Sequence, residues 1–213
     1  MKNKKFNYKI YELKKDENKK NLKEIINLKK KENIYSILSC LSKKLIYEYL
    51  TIVIQSPKMF LFVIKKKNLI IGYILYVKNE KYLLTEFKKI KFKIIKYLLL
   101  NAKFLSIINI FLAITKLDLF FTNYLKNNEY ENVLNLNLLA IKNEYQSMGI
   151  GKIFIEKTIK ILLKRRVKFK YISCEAPTKR VLKFYTKNKF KIIGKKIRIP
   201  NNLYLLKKKI NVL

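Results

Sequence analysis

Histidine and tryptophan are absent from this 213-residue chain, which also has only four glycines, three prolines and two cysteines. Without histidine there is no imidazole to activate a serine or cysteine, which excludes Ser/His and Cys/His catalysis and most transition-metal sites. Cys40 and Cys174 stand in apolar contexts without metal-ligand spacing. They read as reduced core thiols of a cytoplasmic protein, and no metal site is expected. The basic N-terminus leads into alternating polar and apolar residues rather than the apolar core of a signal peptide. A long hydrophobic run is missing too. The greasiest stretch, Ile94 to Phe121, is interrupted by Lys96, Lys103, Lys116 and Asp118. Its longest uncharged segment, Phe104 to Thr115, is well short of the roughly 20 residues of a spanning helix, so no transmembrane segment is expected.

Acidic residues are scarce as well: 14 stand against 49 basic ones, giving a formal charge of +35. A charge of this size draws a protein to nucleic acid, to an anionic membrane surface or to an acidic substrate. The lysines, however, run along the whole chain rather than in one block, and Asn, Ile, Tyr and Phe are abundant with them. An AT-rich coding sequence imposes that composition on any protein, so the charge admits a functional and a compositional reading. Half of the residues are hydrophobic, enough for one globular domain spanning residues 1–213 with its own core.

Along the chain, Phe6 to Leu13 alternates as a first strand, and Lys14 to Lys31 carries the apolar stripe of a helix. Asn33 is read as the cap of a second helix through Ile34, Ile37, Leu38, Leu41, Leu45 and Ile46, and Pro57 closes the helical region. Met59–Ile64 and Leu69–Val77 form a β-hairpin with its charges at the tip. From 80 to 128, apolar residues at helical spacing predict two helices. They are read as packing on the domain or forming a homodimer contact, as a lid or acceptor-site wall, or as a membrane-surface element.

The chain is organised around Glu131 to Ala176, which reads as strand (Val133–Ile141), tight turn, helix from Ile150 to about Val167, and a second strand (Phe169–Cys174). Two of the four glycines, Gly149 and Gly151, fall in that turn. Free N–H groups and the dipole at a helix start favour bound negative charge, and glycine lets a phosphate approach the backbone. The spacing rejects a Walker A loop, which needs glycine where Gln146 stands and Ser or Thr at Ile153. It also rejects a dinucleotide fingerprint, which needs a small residue at Phe154.

Gln146-Ser147-Met148-Gly149-Ile150-Gly151 resembles the Q/R-x-x-G-x-G/A loop that holds acyl-coenzyme A pyrophosphate in the GNAT superfamily of N-acetyltransferases. Downstream, Cys174 to Phe190 is similar to the family's next motif, with Tyr185, Lys187 and Phe190 in register, Phe184 for leucine and Val181 for alanine. Lys189 stands at the family's glycine, so Asn188 is expected to take the left-handed helix-ending conformation. Thr178 stands at its asparagine, a position that makes a substrate-side or cofactor-side hydrogen bond. The resemblance implies an α/β (α+β) fold with a mixed, mostly antiparallel sheet flanked by helices, here with a helical insertion between the third and fourth strands.

It further implies transfer of an acetyl group from acetyl-CoA, bound as cosubstrate, to a primary amine by direct attack in a ternary complex. The acceptor is a small molecule, weakly preferred, or a protein amine. The implied cofactor-binding residues are Leu139, Ala140 and Ile141 of the fourth strand, Gln146, the N–H groups of Ser147, Met148, Gly149, Ile150, Gly151 and Lys152, and Thr178. Tyr185 is the implied catalytic acid that protonates the departing thiolate; its alternative, as one of fifteen tyrosines, is a packed helix aromatic. Glu131, Glu144, Glu175 and an ordered water stay open as the general base. The rival class is a basic nucleic-acid-binding protein on a degenerate GNAT fold without turnover, whose affinity would fall steeply with salt.

Overall fold

The most apolar strands of the chain form its centre. In the computed structural model, which describes residues 8–14, 19–32, 37–78, 80–101, 104–115, 132–199 and 202–210, β2 (Met59–Lys66) and β3 (Leu69–Val77) pair antiparallel. Lys67, at the hairpin tip, takes φ 54°. Nearly every residue of β3 is buried, because both faces of the sheet are covered. Tyr73, Leu75 and Val77 point into one core, under helices α1 (Lys19–Glu32) and α2 (Lys43–Gln55). Ile74 and Tyr76 point into the other, with residues of α5 (Ile150–Lys164) and Tyr185 of α6 (Lys179–Lys187).

Among the described residues seven strands form one sheet in the order β1-β2-β3-β4-β5-β7-β6. β1 (Lys9–Glu12) lies at one edge and β6 (Lys191–Lys196) at the other, with β4 (Val133–Ile141), β5 (Tyr171–Ala176) and β7 (Leu203–Lys209) between. All neighbours are antiparallel except β4 and β5. A parallel pair needs a crossover, and α5 supplies it. The mixed, mostly antiparallel sheet expected from the sequence is therefore present.

Two local readings change. Asn33 lies outside the described residues, and α2 starts later, where the Ser42 Oγ accepts the Leu45 N–H at 3.2 Å. Ile37–Cys40 is a 3-10 turn before it. Ser42 satisfies an otherwise unpaired amide just ahead of the stripe Leu45, Ile46, Tyr49, Leu50 and Val53, which is the stretch that buries. The strand expected from Phe6 is described from Lys9, and Phe6 itself lies outside the described residues.

Gly72 of β3 marks a close approach. A Cβ there would lie 2.5 Å from Ile141 Cδ1 and 2.7 Å from the Ala140 carbonyl oxygen of the neighbouring strand. Because backbone cannot yield as a side-chain tip can, Gly72→Ala is expected to cost about 1–3 kcal/mol. The check is a lower urea midpoint with unchanged slope.

Residues 80–115 hold the two expected helices, α3 (Glu80–Leu100) and α4 (Phe104–Thr115). Ile90 and Leu98, with the partly buried Ile94, Tyr97 and Ile107, pack against the α1/α2-side core, and Lys93 pairs with Glu48 of α2 at 3.0 Å. α4 reaches the second half of the sheet. The buried Asn109 amide donates to the Ile199 carbonyl at 2.8 Å and accepts the Ile199 N–H at 2.9 Å, just before β7. The rest of the expected insertion, from 116, lies outside the described residues, as does Glu131.

Candidate active site

The site begins where β4 and β5 part. Val133–Leu136 pair with Tyr171–Cys174, but beyond that level, among the described residues, Glu175 and Ala176 pair only with β7, while Leu138–Ile141 pair only with β3. The register of β4 against β3 shifts between Tyr76 and Leu75, leaving Asn137 as an extra residue. Such a bulge bends its strand and opens the fork. At the base of the fork the Ser173 hydroxyl donates to the Asn135 side-chain oxygen.

The backbone lining the fork follows from the ladder. Lys142 donates its N–H to the Ile71 carbonyl at 2.8 Å. By antiparallel alternation, Leu138 and Ala140 also face β3, so Leu139 and Ile141 turn their N–H groups into the fork. The Ile141 carbonyl, on that same side, accepts from Gln146 Nε2 at 2.7 Å.

Asn143–Tyr145 then form a 3-10 turn, and Ser147 (φ 62°) and Gly149 (φ 76°) both take left-handed backbone conformations. This backbone aims the chain so that Gly149 begins α5 with no side chain capping it among the described residues. The first intrahelical bond is from Ile153 N–H to the Gly149 carbonyl, so the N–H groups of Ile150, Gly151 and Lys152 are not used within the helix. Together with the helix dipole they make a positive end.

The two glycines serve different purposes. Among the described residues nothing lies within 4 Å of where a Gly149 Cβ would be, so glycine there answers to the positive φ and leaves open space over the helix start. A Cβ on Gly151 would meet the Phe184 ring at 3.1 Å. Its smallness thus admits the α6 aromatic ring.

Gln146 spends its side chain on structure: beside the bond to Ile141, its Oε1 accepts from Arg180 Nη2 at 2.6 Å. Arg180, an exposed residue in the first turn of α6, thereby stands next to the turn. Sequence reading passed it over as one of many cations; its signal was its place in the helix start of the downstream motif. Lys208 is pushed below its usual value first by burial and then by Lys189 and Lys152, with Glu156 acting in the opposite direction.

Thr178 caps α6, its hydroxyl oxygen accepting the Val181 N–H at 3.3 Å. Tyr185 lies in the second core with ring centroids 5.2 Å from both Phe184 and Phe190. Burial, reinforced by Cys174 and Tyr76, pushes its phenol well above the ordinary value. The helix ends differently from expectation: Asn188 stays at φ −94°, and Lys189, at the family's glycine position, takes the left-handed conformation with φ 65°. Asn188 instead turns its side-chain amide back onto the Phe184 carbonyl at 2.7 Å.

Two candidate bases can be placed. Partial desolvation opposes ionisation of Glu175, whose side chain stays 40% exposed, but Lys196 at 2.9 Å and the nearby Arg198 outweigh it and hold the carboxyl below its usual range. Glu175 is therefore a paired, weakly basic anion. Glu144 is exposed within the 3-10 turn.

No protein-family profile and no curated protein matches this sequence. Solved structures do match, over nearly the whole chain. The ribosomal-protein-S18-alanine N-acetyltransferase of Escherichia coli is 11% identical, with 97% of this chain and 96% of that one covered and a TM-score of 0.56. The PaiA N-acetyltransferase of Thermoplasma acidophilum, in complex with coenzyme A, is 14% identical over 96% and 99% of the two chains, with a TM-score of 0.54. An acetyltransferase of the GNAT family from Streptococcus pneumoniae is 13% identical over 96% and 100%, at 0.56. The fold of this chain is the GNAT fold.

Proposed function

We propose that this GNAT-fold chain is an N-acetyltransferase that carries an acetyl group from acetyl-CoA to a primary amine by direct attack. The observation that supports this most is a conjunction. The fork lined by the Leu139 and Ile141 N–H groups opens beside the uncapped start of α5, with open space at Gly149.

In this reading the N–H groups of Ser147 to Lys152 hold the pyrophosphate, where the helix dipole and preformed donors stabilise negative charge. Gln146 and Thr178 contribute by holding the turn and the start of α6, through the bonds described above. The fork N–H groups of Leu139 and Ile141 donate to the thioester oxygen as it gains charge, while the Ala140 N–H is committed to β3. Tyr185 keeps its proton at neutral pH, because burial raises its pKa, and gives it to the departing sulfur. Removal of the amine proton is not assigned to Glu175, whose pairing with Lys196 lowers its basicity.

The test is thiol release from acetyl-CoA on addition of primary amines: peptide N-termini, lysine, polyamines and amino sugars, with the acetylated product identified by mass. Release that depends on an amine supports the proposal. Release at one rate with and without every amine would make the protein a thioester hydrolase instead.

A further inference from the structure

The α3–α4 hairpin ends in an apolar tip. Around the connection between its helices stand Leu99 (54% exposed), Leu100 (76%), Phe104 (64%) and Leu105 (53%), and Ile108 (41%) continues the face on the next turn. The inner side of the hairpin is already engaged, through Ile90, Leu98 and Ile107 against the core and through the Asn109–Ile199 clamp. Held on its inner side, the pair of helices therefore presents several large apolar side chains outward near one end, which marks an interaction surface.

We propose that this tip docks on an anionic membrane surface, its leucines and Phe104 entering the boundary between headgroups and acyl chains. Charge complementarity selects this occupant. Residues 80–103 contain seven lysines and two glutamates, whereas α4 has no charged residue, so a basic segment adjoins an apolar one. Lys88 and Lys96 are exposed on α3. An apolar face with lysines beside it is the pattern of an element lying in the interface of an anionic bilayer. A second copy of the chain fits less well, because it would bring another +35 of like charge to the contact. Spanning is not implied: among the described residues no helix is long and apolar enough to cross a membrane.

The test uses the full chain with vesicles of phosphatidylcholine alone and of phosphatidylcholine mixed with phosphatidylglycerol. Because the protein has no tryptophan, Leu100→Trp places a single fluorescent reporter at the tip. Expected are binding about ten-fold or more stronger on the anionic vesicles and a blue shift of the reporter's emission on binding. The charge-conserving pair Leu100→Ser and Phe104→Ser, with an unchanged unfolding midpoint, is expected to weaken that binding about ten-fold or more. Three results would overturn the proposal: no binding to anionic vesicles, equal binding by the serine pair, or a dimer of the wild type that the serine pair disperses.

Discussion

Tyr185→Phe is expected to lower kcat by about 10²-fold or more while leaving the Kd for acetyl-CoA within about two-fold. The substitution removes one oxygen and keeps the ring that packs against Phe184 and Phe190. Loss of stability is therefore small, and a rate effect reports the hydroxyl. Burial raises the Tyr185 phenol, and the same core also pushes the Cys174 thiol well above its usual value. On the proposed mechanism, a coenzyme thiolate leaving against this core would meet the same desolvation, which would raise its basicity and favour taking the phenolic proton. Since the phenol's folded value lies above 10, it stays protonated through neutral and mildly alkaline pH, and kcat shows no alkaline fall attributable to Tyr185 below about pH 10. A Tyr185→Phe variant turning over at the wild-type rate would leave Tyr185 as a packing residue.

The second large effect concerns stability. Lys29 is wholly buried in α1, and desolvation lowers its pKa from 10.5 to about 7, with Cys40 acting in the opposite direction. The folded state binds fewer protons than the unfolded state between those values, so stability rises with pH across that window. From pH 7 to 9.5 the gain is about 3 kcal/mol, and below pH 7 the full penalty applies. Near pH 10 the trend turns. Burial raises Tyr49 and Tyr76 above their ordinary values, so their contribution is present below about pH 10 and lost above it. Lys29→Met is expected to be more stable at pH 7 by about 2 kcal/mol or more, with a nearly flat profile from pH 7 to 9.5. Urea unfolding at several pH values checks this, and a variant that retained the wild-type slope would assign the pH dependence elsewhere.

Lys29 also illustrates what sequence reading reached. The apolar stripe Leu22, Ile25, Ile26 and Leu28 located α1, and Lys29 lies four residues after Ile25 on that same stripe. The stripe was drawn from its apolar residues alone, and Lys29 was not counted on it. Where pattern and residue type agreed, the reading was close: β3 and β4 occupy the expected Leu69–Val77 and Val133–Ile141, and α5 starts at the expected Ile150. What escaped depended on contacts between distant residues. The Phe184 ring explains Gly151, and the Gln146–Arg180 bond explains two side chains at once. The left-handed turn fell on Lys189 because backbone position in the helix ending outweighed the preference of Asn188.

The most direct measurement is calorimetric titration of acetyl-CoA into the protein at moderate salt, beside the Gly149→Val variant. The account predicts saturable binding at one site per chain, lost in the variant. There a β-branched side chain enters the open space over α5 and cannot adopt φ 76° without strain. No binding to the folded wild type, or undiminished binding to the variant, would contradict a coenzyme site at this turn.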